Sequence, residues 1–300
     1  MQKVKTYLRL IRVYQWTKSG FIFLPLIFST KAISVVLAPF TDESLSVIGD
    51  MLSIFFGFSF MASSIYVLND WKDRHLDRLD SKKKNRPLAS GEVASSEGAL
   101  IAVILATTGL FLSVQTGITT MCIVLGYGFM NIFYSYIGKH VLLLDVFIIS
   151  IGFVLRVLAG AHAIDVEASP WLLSCTFFIS LFLGFYKRYF EIENSPPEKM
   201  FGGQYRSSSL RSLIDISAGL AIMAFSVYTI QGTHADSMLF LTIPFVVMGV
   251  FRYYTLLDSS KEIDGNPSDV LIADPFLAVV ILGWVALSFG LIFYFEYLKT

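Results

Sequence analysis

Nine apolar stretches divide this chain of 300 residues, and each is long enough to cross the hydrocarbon core of a bilayer. Crossing about 30 Å takes about 20 helical residues, because each residue rises only about 1.5 Å. A backbone inside lipid must satisfy its own hydrogen bonds, and a helix does so within one segment. The sequence therefore predicts an all-α integral membrane bundle, a single domain over 1–300, with nine transmembrane helices near residues 20–38, 47–68, 98–115, 118–137, 141–162, 170–186, 212–230, 237–257 and 276–296.

Charged residues are scarce and unevenly placed. They make up 15% of the chain, against about a quarter of a soluble domain, which excludes a soluble globular protein. Twenty of the 23 Lys and Arg fall before the first span or in loops that would lie on that same side. Lys and Arg accumulate on the cytoplasmic side of membrane proteins. We therefore expect a cytoplasmic N-terminus, an external C-terminus and cytoplasmic polar loops.

A run of acids follows the second apolar stretch and is the strongest chemical signal in the chain. If the helix continues, Asn69, Asp73, Asp77 and Asp70 lie at roughly 0°, 40°, 80° and 100° around its axis, which places them in one quadrant. Carboxylates three or four residues apart repel each other, and a bound cation would relieve that repulsion. Carboxylates with substrate phosphates suit Mg²⁺. We predict all four residues as metal ligands and the three aspartates as catalytic; a solvated acidic helix end is the alternative.

Cationic residues follow these acids and also close the sixth apolar stretch. In the basic run after the acids we assign Lys82 and Arg86 to substrate, although lysines there could equally anchor to anionic headgroups. Lys187, Arg188 and Glu191 end the sixth stretch. They indicate either a membrane anchor with an ion pair, or a phosphate clamp that faces the acidic helix, with Glu191 as a further metal or hydroxyl ligand.

Polar residues in or beside the apolar stretches are further candidates for substrate binding: Lys18, Tyr134, Lys139 and Arg156. A charge within a span usually faces the bundle interior, so Arg156 is functional or has a structural partner. Asp145 shares its helix face but lies some 16 Å away, so the two should not pair. For Lys18, snorkelling to the interface is the alternative. Residues 195–209 and 258–269 are expected to be loops, either lids or connectors.

The motif Asn69-Asp70-x-x-Asp73-x-x-x-Asp77, at the end of the second of nine spans, resembles the first aspartate-rich motif of the UbiA membrane prenyltransferase superfamily. The resemblance covers essentially the whole chain and implies an active site at the cytoplasmic end. Aromatic prenyltransferases carry a second DxxxD motif after the sixth helix, where this chain has Tyr186-Lys187-Arg188-x-x-Glu191. That element resembles the decaprenyl-phosphate phosphoribosyltransferase branch, as do Arg12-x-x-Gln15-Trp16-x-Lys18, the stretch 144–161 and Ser169-Pro170-Trp171-Leu172.

The resemblance to that branch implies transfer of 5-phosphoribose from phosphoribosyl diphosphate to a polyprenyl phosphate, with Mg²⁺ as cofactor and diphosphate as the leaving group. The acceptor is already an anion, so no strong general base is needed. We expect a bacterial inner membrane location, contact with membrane lipids and no nucleic-acid partner, and a homo-oligomer stays open. Three alternatives are a prenyltransferase acting on an aromatic acceptor, which the missing second motif disfavours, a transporter, which should show inverted repeats, and a scaffold, which leaves the acidic face unexplained.

Overall fold

The computed structural model describes residues 2–80, 83–194, 205–232, 238–259 and 274–295. Lys82 and most of the two predicted loops at 195–209 and 258–269 lie outside them. The described elements are helical: α1 Gln2–Leu10, α2 Val13–Ile27, α3 Thr30–Leu37, α4 Asp42–Asp77, α5 Pro87–Ser90, α6 Ser95–Gln115, α7 Ile118–Tyr136, α8 Leu144–Ala163, α9 Pro170–Asn194, α10 Ser207–Gln231, α11 Ile243–Ser259 and α12 Pro275–Phe293. Most of α2, Val13–Phe23, and three short connecting turns, Lys83–Asn85, Gly138–His140 and Leu239–Thr242, are 3-10 helix.

The predicted all-α bundle is confirmed, but the helix predicted as the first span is broken. Eight helices within the described ranges are long and apolar enough to cross a membrane, and α2 with α3 makes a ninth only if the pair counts as one broken span. The two helices are bent by 95° instead of running straight over 20–38. Ser29 leaves the helical conformation between them, and its hydroxyl donates to the Leu26 carbonyl at 2.9 Å. The break falls at the polar residues Ser29, Thr30 and Lys31, but the two helices together still average as apolar, so a hydropathy window does not reveal it.

Helix α4 is longer than a membrane span requires, and its acidic residues lie at its end. Its 36 residues extend about 54 Å, well beyond the thickness of a hydrocarbon core. Thr41 caps the helix by accepting a hydrogen bond from the Ser44 amide, and two acids in the first turn favour the same start. The helix ends at Asp77. The predicted acidic face therefore lies on the last turns of a helix, as the sequence indicated.

Two glycine contacts set the helices around the site at close range. A Cβ on Gly160 of α8 would lie 2.0 Å from the Ile22 carbonyl oxygen of α2, and a Cβ on Gly109 of α6 would lie 2.7 Å from the Gly57 carbonyl oxygen of α4. Small residues allow this backbone approach between membrane helices. The broken α2 is consequently held directly against α8.

Helix α8 joins the two main buried clusters. Ala159 packs with residues of α4 and α7, whereas Val146 packs with residues of α9, α10 and α11. The outward faces of α6 and α12 are apolar and exposed, as Phe111 and Leu282 show, which suits contact with lipid. The polar residues at the start of α8 therefore lie where the two halves of the bundle meet.

Candidate active site

Asp70 and Asp77 form a buried carboxylate pair on α4. They are 3% and 4% exposed. A single atom of Arg86, Nη1, lies 3.0 Å from Asp70 Oδ1 and 2.8 Å from Asp77 Oδ2. Arg12 adds a second guanidinium, with Nη2 2.6 Å from Asp70 Oδ1. Two carboxylates two turns apart are thus held around one cationic nitrogen.

The position of Arg86 follows from how its loop is anchored. The loop returns over the end of α4, where Arg78 Nε donates to the Ala89 carbonyl at 2.8 Å. Leu88 is 2% exposed and packs in a cluster with Leu10, Val67, Val93 and Ala102. Gly91, with φ +84°, supplies the left-handed residue that ends α5. Burial of Leu88 thereby fixes Arg86, two residues earlier, above the carboxylates.

Arg12 was not assigned to the site from the sequence, although it lies in the N-terminal motif. It joins α1 to α2 with φ +52°, a conformation that costs a residue with a side chain about 1 kcal/mol or more. Its guanidinium also lies 4.9 Å from the centre of the Tyr66 ring. The turn directs the side chain at a partner 58 residues away, a pairing that local spacing does not signal.

The end of α7 approaches the other side of the acidic helix. Lys139 Nζ lies 3.5 Å from Asp73 Oδ2. One residue before Asp73, Lys72 donates to the Ser135 carbonyl at 3.2 Å and lies over the Tyr136 ring. The structure therefore brings Lys139, a predicted substrate-binding residue, to the acidic face, where it pairs with Asp73.

A second cluster surrounds Arg188 on α9. Its Nε donates to Asp145 Oδ2 at 2.7 Å, its Nη1 donates to Glu191 at 2.6 Å, and its Nη2 lies 3.4 Å from the Tyr134 hydroxyl. Tyr205 also donates to Asp145, at 2.8 Å. Three predicted residues thus meet here with two, Asp145 and Tyr205, that were not assigned to the site. Asp145 was visible as an acid at the start of an apolar span, but its partner is 43 residues away.

Lys187 links the two clusters electrostatically. Its Nζ lies 3.9 Å from Glu191, and the positive charges of Lys18, Arg188 and Arg12 act on it. Arg12 also binds Asp70, so a cation from the turn between α1 and α2 lies between Lys187 and the carboxylates of α4 in electrostatic range of both. A concentration of like charge of this kind attracts an anion.

Arg156 lies apart from both clusters. It is 4% exposed, donates to the Tyr127 hydroxyl at 3.0 Å and lies 4.8 Å from the centre of the Phe58 ring. Phe58 precedes Asp70 by twelve residues on α4, which is about 18 Å along the axis. The expectation that Asp145 and Arg156 do not pair is confirmed, because Asp145 binds Arg188.

The four predicted metal ligands are not gathered around one point. Within the described ranges, no three His, Cys, Asp or Glu side chains are placed to share a metal ion. Asp70 and Asp77 share the Arg86 cation, Asp73 faces Lys139, and Asn69 is half-buried on the same helix. The metal assignment stays a prediction. The Arg86 contact shows that the Asp70 and Asp77 oxygens fit a common cation.

The fold and this charged end define a helical integral membrane protein with paired cations and carboxylates gathered at one end of the bundle. The chain belongs to the UbiA prenyltransferase family, whose model matches residues 26–268, and it is a transferase.

Relatives and solved structures agree with that placement. Decaprenyl-phosphate phosphoribosyltransferase from Corynebacterium glutamicum is 30% identical over 79% of this chain and 74% of its own length. The protein of the same name from Mycolicibacterium smegmatis is 27% identical over 98% and 94%. A UbiA homolog from Archaeoglobus fulgidus, bound to DMAPP and Mg²⁺, superimposes with a TM-score of 0.69 at 18% identity, covering 96% of this chain and 99% of that one. This last likeness establishes the fold alone.

Proposed function

We propose that this transferase moves 5-phosphoribose from phosphoribosyl diphosphate to a polyprenyl phosphate of the decaprenyl type and releases diphosphate. The observation that carries the proposal is the gathering of cations at the charged end, with Arg12 and Arg86 on Asp70 and with Lys187 and Arg188 on Glu191. The names of the two phosphoribosyltransferase relatives support the same reaction. A donor that carries both a diphosphate and a 5-phosphate would use such a set of cations fully.

The reaction needs charge stabilisation more than proton transfer. The bond from ribose C1 to the diphosphate oxygen breaks with its electron pair going to diphosphate, and an oxygen of the acceptor phosphate forms the new bond to C1. Arg12, Lys18 and Lys187 would bind donor phosphates and stabilise the charge that grows on the leaving group. The acceptor oxygen is already anionic, so no described residue has to act as a strong base.

Mg²⁺ is part of this proposal, with Asp70 and Asp77 as the carboxylates that fit a shared cation and with Asn69 and Asp73 beside them on α4. When bound, Mg²⁺ would neutralise part of the charge on the departing diphosphate. Arg86 would leave the two carboxylates and become available to a donor phosphate.

The membrane placement is proposed from the charges. We place the N-terminus and the active site in the cytoplasm of a bacterial cell and the C-terminus outside, with nine spans in the inner membrane. The polyprenyl chain would enter sideways between helices, so that its phosphate reaches the charged end while its isoprene units stay in lipid.

The test uses purified protein in detergent with Mg²⁺, a polyprenyl phosphate and radiolabelled phosphoribosyl diphosphate. We expect label in the lipid phase and loss of transfer on Asp73→Ala. Lys84→Gln is the control: it removes an exposed cation from the loop that follows α4, and we expect it to transfer normally. The proposal is wrong if no label moves and the protein instead joins a prenyl diphosphate to an aromatic acceptor. Full activity of Asp73→Ala would remove that carboxylate from the mechanism.

A further inference from the structure

Asp145 is a buried carboxylate with both oxygens engaged. It lies in the first turn of α8, is 4% exposed, and accepts from Arg188 Nε through Oδ2 at 2.7 Å and from the Tyr205 hydroxyl through Oδ1 at 2.8 Å. The N-terminal end of a helix favours a negative charge. The carboxylate is therefore fixed by its helix, by a cation of α9 and by the residue that leads into α10.

Tyr205 holds this arrangement from the opposite side. Its hydroxyl oxygen accepts the Leu143 amide at 2.7 Å while its proton goes to Asp145. Leu143 has φ +68°, the left-handed conformation from which α8 begins, so the hydroxyl supports a strained turn. Burial, followed by the hydrogen bond to Asp145, raises the pKa of Tyr205, and the hydroxyl stays a donor.

Asp145 and its neighbours hold the Arg188 guanidinium in one orientation. Asp145 of α8 accepts a hydrogen bond from its Nε, Glu191 of α9 accepts one from Nη1, and the hydroxyl of Tyr134 of α7 lies near Nη2. Contacts from three helices therefore fix the guanidinium plane. Glu191 is the more exposed of the two carboxylates, with 39% of its side chain accessible against 6% for Asp145. Asp145 is thus the rigid partner, and without it the guanidinium would be held chiefly by a carboxylate on its own helix.

We propose that Asp145 is a positioning residue that, with Tyr205, holds the Arg188 guanidinium where it binds a phosphate of the donor's diphosphate. The inference rests on the proposed function, in which a diphosphate leaves. Asp145 acts through Arg188 and does not itself touch the donor. Its effect on diphosphate binding must therefore disappear when Arg188 is absent.

A double-mutant cycle tests this dependence. Inorganic diphosphate is titrated calorimetrically, with Mg²⁺ present, into the detergent-purified wild type, Asp145→Asn, Arg188→Gln and the double variant. We expect each single variant to bind about tenfold more weakly, and the double variant to match Arg188→Gln within about twofold. Asp215→Asn is the matched control, because Asp215 also accepts from a tyrosine, Tyr254, at 2.8 Å, but lies on the exposed face of α10.

Tyr205→Phe keeps the proposal testable if Asp145→Asn does not fold, since it removes only one hydroxyl. We expect this variant to bind diphosphate about threefold more weakly, and we expect the same substitution to have no effect when Arg188→Gln is also present. Losses that multiply in the double variant, or single variants that bind as well as wild type, would overturn the positioning role. Diphosphate is the leaving group in phosphoribosyl and prenyl transfer alike. If the effects of the two variants on diphosphate binding are coupled but no phosphoribosyl transfer is detected, the proposed function is wrong and the positioning role still holds.

Discussion

Replacing Arg86 by glutamine should make the stability of the protein depend strongly on Mg²⁺. One guanidinium nitrogen serves both Asp70 and Asp77. Glutamine keeps much of the length of the side chain but removes its charge. The variant therefore leaves two buried carboxylates with less compensation and, at the same time, vacates the position that we assign to the metal.

The expected loss can be bounded from the structure. Removing one partner of a buried ion pair costs about 3–5 kcal/mol. The Arg86 side chain is 30% exposed and Asp70 is still paired with Arg12, so water and that second cation compensate part of the loss. We therefore expect Arg86→Gln without metal to lower the free energy of unfolding by about 2 kcal/mol. Mg²⁺ at 100 times its Kd contributes about 2.7 kcal/mol, enough to offset this. In the wild type the metal must first displace Arg86, so its net gain is smaller.

Thermal unfolding in detergent, with Mg²⁺ and with a chelator, measures the difference. We expect chelation to lower the Tm of Arg86→Gln about 5 °C further than that of the wild type, taking about 2–4 °C for each kcal/mol. Lys84→Gln removes an exposed cation from the same loop and should respond like the wild type. Equal responses of Arg86→Gln and wild type to Mg²⁺ would refute the idea that Arg86 stands where the metal binds.

Three further changes address the donor site, the packing and the pH dependence. Lys187→Ala should raise the KM for phosphoribosyl diphosphate about tenfold, the value of one charge-assisted contact, and an unchanged KM would return this lysine to a membrane anchor. Gly160→Ala would place a Cβ 2.0 Å from the Ile22 carbonyl oxygen and should cost about 2–3 kcal/mol in thermal unfolding, whereas Gly126→Ala, with nothing within 4 Å, should not destabilise; equal Tm values would disprove the close contact. A hydrogen bond from Arg252 lowers the pKa of Asp274, so the ionised carboxylate stabilises the fold above about pH 4, and this stabilisation is lost as the pH falls through the folded pKa. Asp274→Asn should therefore lower the free energy of unfolding by about 1 kcal/mol or less at neutral pH. A destabilisation that persists in acid would contradict this pairing.

Local periodicity predicted the acidic face but not Arg12, one of the cations that balance it. Asn69, Asp70, Asp73 and Asp77 could be placed on one face from their spacing alone, because helical geometry is set within a few residues. Arg12 and Asp70 are 58 residues apart in the sequence, and they meet only when α2 packs against α4. Such a pairing depends on tertiary packing and leaves no trace in spacing.

Hydropathy likewise predicted the bundle but not the broken first span. Ser29, Thr30 and Lys31 are polar, but the apolar residues on both sides keep the window average high, and that average cannot register the 95° change of direction. The break matters for the site because it places α2 across α8, where Gly160 admits the Ile22 carbonyl. Lys18 lies on this segment and Arg12 directly precedes it, so the irregular part of the fold supplies two of the cations of the proposed donor site.

Arg156 shows why depth decides the role of a charged residue in a span. Its guanidinium lies over Phe58 of α4, Tyr127 of α7 and Phe153 of α8, at 4.8, 4.9 and 5.3 Å from the ring centres. These three helices end or begin at the charged cluster, at Asp77, Tyr136 and Leu144. Aromatic faces, the Tyr127 hydroxyl and the Gly152 carbonyl compensate part of this buried charge, while Nε has no hydrogen-bond partner among the described residues. Arg156 therefore connects α8 with α4 and α7 about 18 Å from Asp70 along α4, so its own charge lies outside the cluster around Asp70 and Asp77.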